Sequence, residues 1–277
     1  MEGMELLSVD QDKCRRDGIC AAVCPAGIIE FKDKAAFPAM VEGGDELCIR
    51  CGHCVAVCPH GAMSHEVMNT AECPPMRGEL HLQPDQVEQF LRSRRSIRTY
   101  RKKQVDRDAL TKLIELASFA PSGHNTRPVN WLVIYDSDEV QRLAGIVAEW
   151  MGSSIKEGSP LAAALHMDRV VAAWQSGQDR ICRGAPHVLV AHAPKDERTA
   201  PAACTIALTY LELAAPAFGL GACWAGYFNA AANLWPPMAE ALDLPDGHVS
   251  FGAMMVGQPK FKYSRMPLRN APRTMWR

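Results

Sequence analysis

The 277-residue chain has no uninterrupted apolar run of about 18 residues, the length a bilayer-spanning segment needs. It also lacks a basic leader followed by an apolar stretch, because the opening MEGMELLSVD puts acidic residues where a secretory signal carries positive charge. Neither a membrane association nor export is expected, and the cytoplasm is the expected compartment. A Lys/Arg run is missing as well: the arginines are dispersed among apolar segments, which argues against nucleic acid and for a small anionic ligand. The formal net charge is only -1, but it is unevenly spread. Residues 1–80 carry 13 acidic and 7 basic side chains, a balance of -6, leaving 18 acidic and 23 basic ones, +5, for the rest. With 48% hydrophobic and 22% charged residues, the length suits two unequal globular domains or one large one.

Cysteine is abundant, with eleven in all, and seven of them fall between residues 14 and 58. In a chain this long, such crowding points to metal rather than to the disulfide scaffold of a short secreted protein. The run Cys48-Ile-Arg-Cys51-Gly-His-Cys54-Val-Ala-Val-Cys58-Pro59 has the C-x2-C-x2-C-x3-C-P spacing of bacterial-type ferredoxins. There three close thiolates hold one cubane iron–sulfur cluster and the fourth reaches the other cluster. Upstream, Cys14-Arg-Arg-Asp17-Gly-Ile-Cys20-Ala-Ala-Val-Cys24-Pro25 repeats the pattern with aspartate in place of the second cysteine. By the crossed rule, Cys48, Cys51, Cys54 and Cys24 hold one [4Fe-4S] cluster, while Cys14, Cys20 and Cys58 hold three corners of the other and Asp17 faces its fourth iron. A carboxylate is a harder ligand than thiolate, so that iron should be lost or exchanged more easily, giving a [3Fe-4S] form. Zinc is the alternative, but it needs four ligands per isolated site and leaves the two matched x3-Cys-Pro endings unexplained. Cys73, Cys182, Cys204 and Cys223 lack ligand spacing and are expected to be small buried apolar residues.

Three regions separate by composition: a Cys-rich segment, a connector containing Cys73-Pro74-Pro75, and an Ala- and Leu-rich remainder. The expected boundaries are 1–70 for the iron–sulfur domain, 71–84 for a linker and 85–277 for the second domain. The first part has little apolar core, so ligation must supply much of its order, with short strands at LLSVD and Phe37 to Val41. In the second part Asp85 is expected to cap a helix through about Arg95. Asp106 or Asp108 caps another, with Leu110, Leu113, Ile114 and Ala117 on one face and Pro121 at its end. Strands are expected at about Val129 to Tyr135, Pro186 to Ala191, Gly221 to Ala225 and Ser250 to Val256. Helical patterns lie near 138–151, 160–176, 201–217 and 235–242. This reads as α+β or α/β. The helix ending AAPAFGLG is apolar nearly all round, so it should be buried, against a second subunit if not within the chain.

The segment Arg94-Arg95-Ser96-Ile97-Arg98-Thr99-Tyr100 resembles the start of the nitroreductase family. Further motifs agree in order: Ala120-Pro121-Ser122-Gly123-His124-Asn125-Thr126-Arg127-Pro128, with Arg127 where the family has glutamine; Gly219-Leu220-Gly221-Ala222-Cys223-Trp224-Ala225-Gly226; Gly257-Gln258-Pro259; and Lys262-Tyr263-Ser264-Arg265-Met266-Pro267-Leu268-Arg269. The resemblance covers about residues 88 to 277. It implies an α+β FMN domain behind a ferredoxin-like two-cluster module, and a homodimer with FMN at the subunit interface. It further implies that Arg94, Arg95, Ser96, Arg98, Lys262 and Arg265 contact FMN, that Ser122, Gly123 and Asn125 reach it from the second subunit, and that Trp224, Ala225 and Gly226 border the ring. A backbone N–H at Ala225 or Gly226 would bond flavin N5. Guanidinium groups suit the flavin's phosphate, since they form bidentate pairs that a lone lysine cannot.

No side chain need act as nucleophile, because the flavin carries the chemistry. His124 is a candidate proton donor, although a lone loop histidine is more often a surface group. Met151, Met167 and Trp174 are candidates for a substrate-covering element, and Trp150 is read as core. The expected activity is reduction of a planar small-molecule acceptor (a nitroaromatic, quinone or related compound) by FMN. Its electrons would come through the clusters from an external one-electron donor such as ferredoxin, with NAD(P)H as an alternative that no G-x-G-x-x-G supports. Open alternatives are a dehalogenase-like or flavin-fragmenting enzyme of the same fold, and a redox-sensing or electron-carrier protein without turnover.

Overall fold

The computed structural model describes residues 5–277. Residues 1–4, part of the opening segment weighed as a leader, lie outside the described residues. The chain divides into two compact units, the first reaching Leu82 and the second running from Gln83 to Arg277.

In the first unit Leu7–Val9 (β1), Ile19–Ala22 (α1), Ile29–Glu30 (β2), Ala39–Met40 (β3), Gly44–Leu47 (α2), His53–Val57 (α3) and Met63–His65 (β4) follow one another. β1 pairs antiparallel with β4 and β2 with β3. Of the stretch expected as a strand from Phe37, only Ala39 and Met40 pair. The two halves repeat at an offset of 34 (Cys14 to Cys48), and the backbone repeats with them. Left-handed φ angles occur at Arg16 and Arg50 (56° and 51°), at Gly18 and Gly52 (77° and 73°) and at Gly27 and Gly61 (63° and 59°). Gly18 and Gly52 cap α1 and α3, the left-handed turn folding each cysteine loop back on itself. The core is small: Cys20, Ile28, Ile29, Val55 and Met63.

The second unit runs Pro84–Ser93 (α4), Arg107–Ala117 (α5), Asn130–Ile134 (β5), Ser137–Lys156 (α6), Pro160–Ala164 (α7), Met167–Gln175 (α8), His187–Pro194 (β6), Ala200–Ala214 (α9), Gly221–Trp224 (β7), Gly226–Leu234 (α10), Pro236–Leu242 (α11) and His248–Gly257 (β8). The strands form one antiparallel sheet in the order β5-β6-β8-β7. Because side chains alternate along a strand, Val188, Val190, Ala253 and Met255 face one core with α6, α8, α10 and α11. Leu189, Ala191, Met254 and Val256 face another, packed by α5 and α9. With both faces covered, β6 is buried along nearly its whole length, and Val188 to Ala191 form a continuous apolar run rather than an alternating one. This is an α+β fold.

Several expectations shift. Gln83 caps α4 through a reciprocal capping box with Gln86, and Asp85 sits in the first turn. Asp106 does cap α5, accepting from the Asp108 N–H, but the helix stops at Ala117, before Pro121. The pattern at 160–176 is two helices broken at His166, whose φ is 49°. α10, rich in alanine and asparagine behind a glycine, was not anticipated. The Ala200–Phe218 segment, α9 and the 3-10 turn after it, is long and apolar enough to cross a membrane by length and composition. Thr205, Thr209 and Glu212 interrupt its apolar run, and Cys204, Leu208 and Leu211 are fully buried against the sheet. It is a core helix with one face, including Thr205 and Tyr210, uncovered within the chain.

Candidate functional site

In the first unit the thiols surround two separate cavities. One is lined by Cys24, Cys48, Cys51 and Cys54, the other by Cys14, Asp17, Cys20 and Cys58. Each cavity is therefore walled by side chains from both half-motifs, the last cysteine of each run lying with the other run. Electrostatics show the same grouping. Burial pushes the Cys54 thiol up to about 11, with Cys51 and Cys24 adding negative charge nearby. Burial also raises Cys20, helped by Asp17 and Cys14. A metal centre entering such a site must displace protons the thiols hold tightly. All the cysteines are free thiols. Among the described residues no three His, Cys, Asp or Glu side chains converge where a single ion could sit.

Hydrogen bonds order the cavity walls and reach two of the sulfurs. Asp17 Oδ1 accepts from the Ile19 N–H at 3.2 Å, which ties the carboxylate to the loop leading into α1. The Ala62 N–H donates to Cys58 Sγ at 3.3 Å, and His65 Nε2 lies 3.7 Å from Cys48 Sγ.

In the second unit the arginine segment leaves α4 and lies along β7. The Ile97 N–H bonds the Ala222 carbonyl at 2.9 Å, and Gly221 makes the approach possible, since a Cβ there would fall 2.3 Å from Ile97 Cγ1. A groove of about 590 Å³ opens beside it, with Arg94, Arg95, Glu212 and Lys262 in its wall. Arg94 Nη1 bonds the buried Glu212 carboxylate at 2.8 Å and reaches Ser96 Oγ at 3.4 Å. Arg95 turns back on the α4 terminus, donating to the Arg92 and Arg94 carbonyls, while its buried Nε has no partner. Arg98 is exposed on the same segment, and Arg265 lies on the exposed tail beyond Lys262. A cationic groove with an orphaned donor fits a phosphate-bearing ligand.

The other turn lies elsewhere. Gly123–Asn125 forms a single 3-10 turn with left-handed φ at His124, Asn125 and Arg127. Ser122 Oγ accepts from the Arg127 N–H at 2.9 Å. The turn packs on the start of α9: Thr126 Oγ1 is 2.7 Å from Thr199 Oγ1, and a Cβ on Gly123 would meet Thr199 at 2.9 Å. Glu212, the partner of Arg94, is 13 residues further along that helix, roughly 20 Å at about 1.5 Å per residue. One chain thus holds the two parts of the expected ligand set at opposite ends of α9. His124 is exposed at the turn's tip.

Near β7, Trp224 is exposed and Ala225 buried. The Ala225 N–H bonds the Ala253 carbonyl at 2.8 Å, so of the two backbone donors considered for N5 it is already engaged. Gly226 opens α10, and a Cβ there would meet no side chain or distant backbone within 4 Å.

Met151 and Met167 are fully buried and belong to the core rather than to a pocket wall, as does Trp150, while Trp174 packs at the core's edge. Cys182, Cys204 and Cys223 are buried, but Cys73 is exposed, its Pro-rich connector having no core to enter. Two residues escaped sequence reasoning. Glu212 is the only charged side chain between Ala200 and Phe218, a signal that could have flagged it. Arg183, left-handed at φ 59°, acts with Arg98 on both Cys223 and Tyr100. Its loop is pinned by Asp179, which accepts from the Ile181, Cys182 and Gly184 N–H groups, and nothing in its sequence announces it.

A segment with two thiol-walled cavities and an α+β unit with a cationic groove are the parts of an iron–sulfur oxidoreductase. The family model for the nitroreductase family matches residues 91–258, and one described as a 4Fe-4S dicluster domain matches residues 6–59. The chain belongs to the nitroreductase family and carries an N-terminal 4Fe-4S ferredoxin-type domain. It is similar to a Bacteroides fragilis nitroreductase with bound FMN (19% identity, TM-score 0.57, covering 69% of this chain and 98% of that one). A Desulfitobacterium hafniense nitroreductase with bound FMN is similar as well (18% identity, TM-score 0.54, covering 69% and 96%). A relative from Archaeoglobus fulgidus named "Putative NADH dehydrogenase/NAD(P)H nitroreductase" is 23% identical over 168 residues, 61% of this chain and 82% of that protein.

Proposed function

We propose that this chain is a homodimeric FMN-dependent oxidoreductase in which electrons from an external one-electron donor such as ferredoxin pass through two iron–sulfur clusters to FMN and then to a planar acceptor of the nitroaromatic or quinone kind. The observation that carries this reading is the pair of thiol-walled cavities in the same chain as a nitroreductase-family unit with an arginine-lined groove. A covalent link keeps the donor at high local concentration around its acceptor without a separate docking step. The FMN bound by the similar Bacteroides and Desulfitobacterium proteins supports the choice of flavin, and the Archaeoglobus relative's name supports NAD(P)H as the alternative donor.

The chain's own residues would divide the work. Arg94, Arg95, Ser96, Arg98, Lys262 and Arg265 hold the phosphate and ribityl chain, Arg94 being oriented by Glu212. Trp224 borders the ring, and the Gly226 N–H faces flavin N5 from the start of α10. Ser122, Gly123 and Asn125 come from the second subunit, which the ~20 Å separation along α9 favours. Leu91, Leu268 and Trp276, at 52%, 92% and 91% exposure, offer apolar surface for that subunit to cover. Cys24, Cys48, Cys51 and Cys54 hold one four-iron cluster. Cys14, Cys20 and Cys58 hold the other, with Asp17 at the corner from which iron is most readily lost.

Anaerobic purification with iron, sulfide and flavin quantified per chain tests the cofactors, and light scattering tests the dimer. Mixing reduced ferredoxin with wild type and with the Cys48→Ser variant in a stopped-flow instrument tests the route. Flavin reduction should slow at least tenfold in the variant, and equal rates would defeat the internal relay.

A further inference from the structure

We infer that His65 sets the reduction potential of the cluster held by Cys24, Cys48, Cys51 and Cys54, by donating a hydrogen bond to the Cys48 sulfur. The inference rests on the reading above that this cavity holds an iron–sulfur cluster.

His65 ends β4 and is only 4% exposed. Its ring has two nitrogens, and the backbone settles what each does. The Val67 N–H donates to Nδ1 at 3.2 Å, so Nδ1 is the acceptor and the ring proton resides on Nε2. Nε2 is the atom 3.7 Å from Cys48 Sγ, a distance suited to a donor facing the large sulfur atom. Antiparallel pairing of Leu7 with His65 fixes the strand that carries the ring.

A cluster that gains an electron gains negative charge, part of which falls on its thiolate sulfurs. A donor aimed at one of them stabilises the reduced form more than the oxidised one and raises the potential. The internal repeat supplies a comparison. At the offset of 34 the counterpart of His65 is Phe31, which lines the cavity of Cys14, Asp17, Cys20 and Cys58 and has no N–H to give. That second site receives a backbone donor instead, from Ala62 to Cys58. The ring donor of His65 thus has no equivalent in Phe31, and phenylalanine is already accommodated at the matching position of the same fold.

The test is a redox titration of full-length, anaerobically purified holoprotein, monitored by electron paramagnetic resonance, for wild type, His65→Phe and His65→Gln. The phenylalanine variant should lower the midpoint of one cluster signal by at least about 28 mV, a threefold change at about 59 mV per tenfold, leaving the other signal in place. Glutamine, which retains an N–H donor, should restore part of the shift, as a merely structural role would not. An unchanged midpoint in iron-replete His65→Phe overturns the inference. Should that variant assemble too little iron, pulsed resonance on wild type labelled with 15N-histidine decides: a histidine nitrogen coupled to the reduced cluster, and lost in His65→Gln, supports it, and no coupling overturns it. Wild type without iron would instead overturn the reading on which the inference rests.

Discussion

Among the described residues of the amino-terminal unit the buried core amounts to Cys20, Ile28, Ile29, Val55 and Met63, and no helix exceeds five residues. In the second unit a four-stranded sheet has a buried apolar layer on each face, and α6 alone runs 20 residues. The contrast shows two ways for a chain to become ordered. A short segment with few apolar contacts cannot offset the entropy of fixing its backbone by packing alone, so ligation must contribute. A longer one can rely on burial and needs its ligand only for function.

Removing the iron gives the sharpest test of that contrast. Chelation should abolish amide-exchange protection across β1 to β4 while β5 to β8 stay protected. Protected amides at Ser8 and Ser64 in iron-free protein would break the comparison. Next in size, Leu208→Ala, at a fully buried side chain on α9, should destabilise the sheet unit by about 2–5 kcal/mol. Denaturant melts would measure this, with iron content held at the wild-type value. Loss of iron in that variant would mean the units are not independent in stability.

A smaller effect separates ligand binding from packing in the second unit. Arg94→Met removes a charge-assisted bond donor and leaves the Glu212 carboxylate unpaired. FMN affinity, read by fluorescence quenching, should fall by about 1.5–3 kcal/mol, roughly 10- to 150-fold. An unchanged affinity would remove Arg94 from the flavin site.

The smallest effect is a pH dependence confined to the sheet unit. His187 is buried, accepting from the Val105 N–H at 2.9 Å through Nε2 and bonding the Tyr135 carbonyl at 2.7 Å through Nδ1. Burial holds its pKa below the ordinary value of 6.5. Between the folded and unfolded pKa values the unfolded chain therefore binds more protons. The stabilisation is fully present above about pH 6.5 and declines as pH falls, by at most about 1.4 kcal/mol per pH unit for one group. Thermal melts from pH 7.5 to 5 should show this decline, reduced in His187→Gln. A decline of equal slope in that variant would assign it to other groups, such as His192, which is also buried and shifted downward.

The thiols that wall the two cavities were legible because their spacing is carried by the local sequence: Cys48 to Cys58 fall within one short run. Asp17 stood out as a break in that pattern. The core strands were legible because apolar runs bounded by glycine and proline have few other uses, as Val188 to Ala191 show. Less visible were the break at His166 and the whole of α10, where weak local preferences are overridden by packing, and the cap at Gln83, a residue type outside the usual capping set.

By itself, the sequence determined the chemistry offered: which thiols, which guanidiniums, and in what order along the chain. Tertiary structure alone decided which groups meet. It set Glu212 against Arg94 across 118 residues, engaged the Ala225 N–H with Ala253, and brought His65 beside Cys48. It also placed the Ser122 to Asn125 turn at the far end of α9 from Arg94. The reason is physical: ligand spacing and strand period are local properties of a covalent chain, whereas contacts between distant segments depend on how whole helices and sheets pack to exclude water.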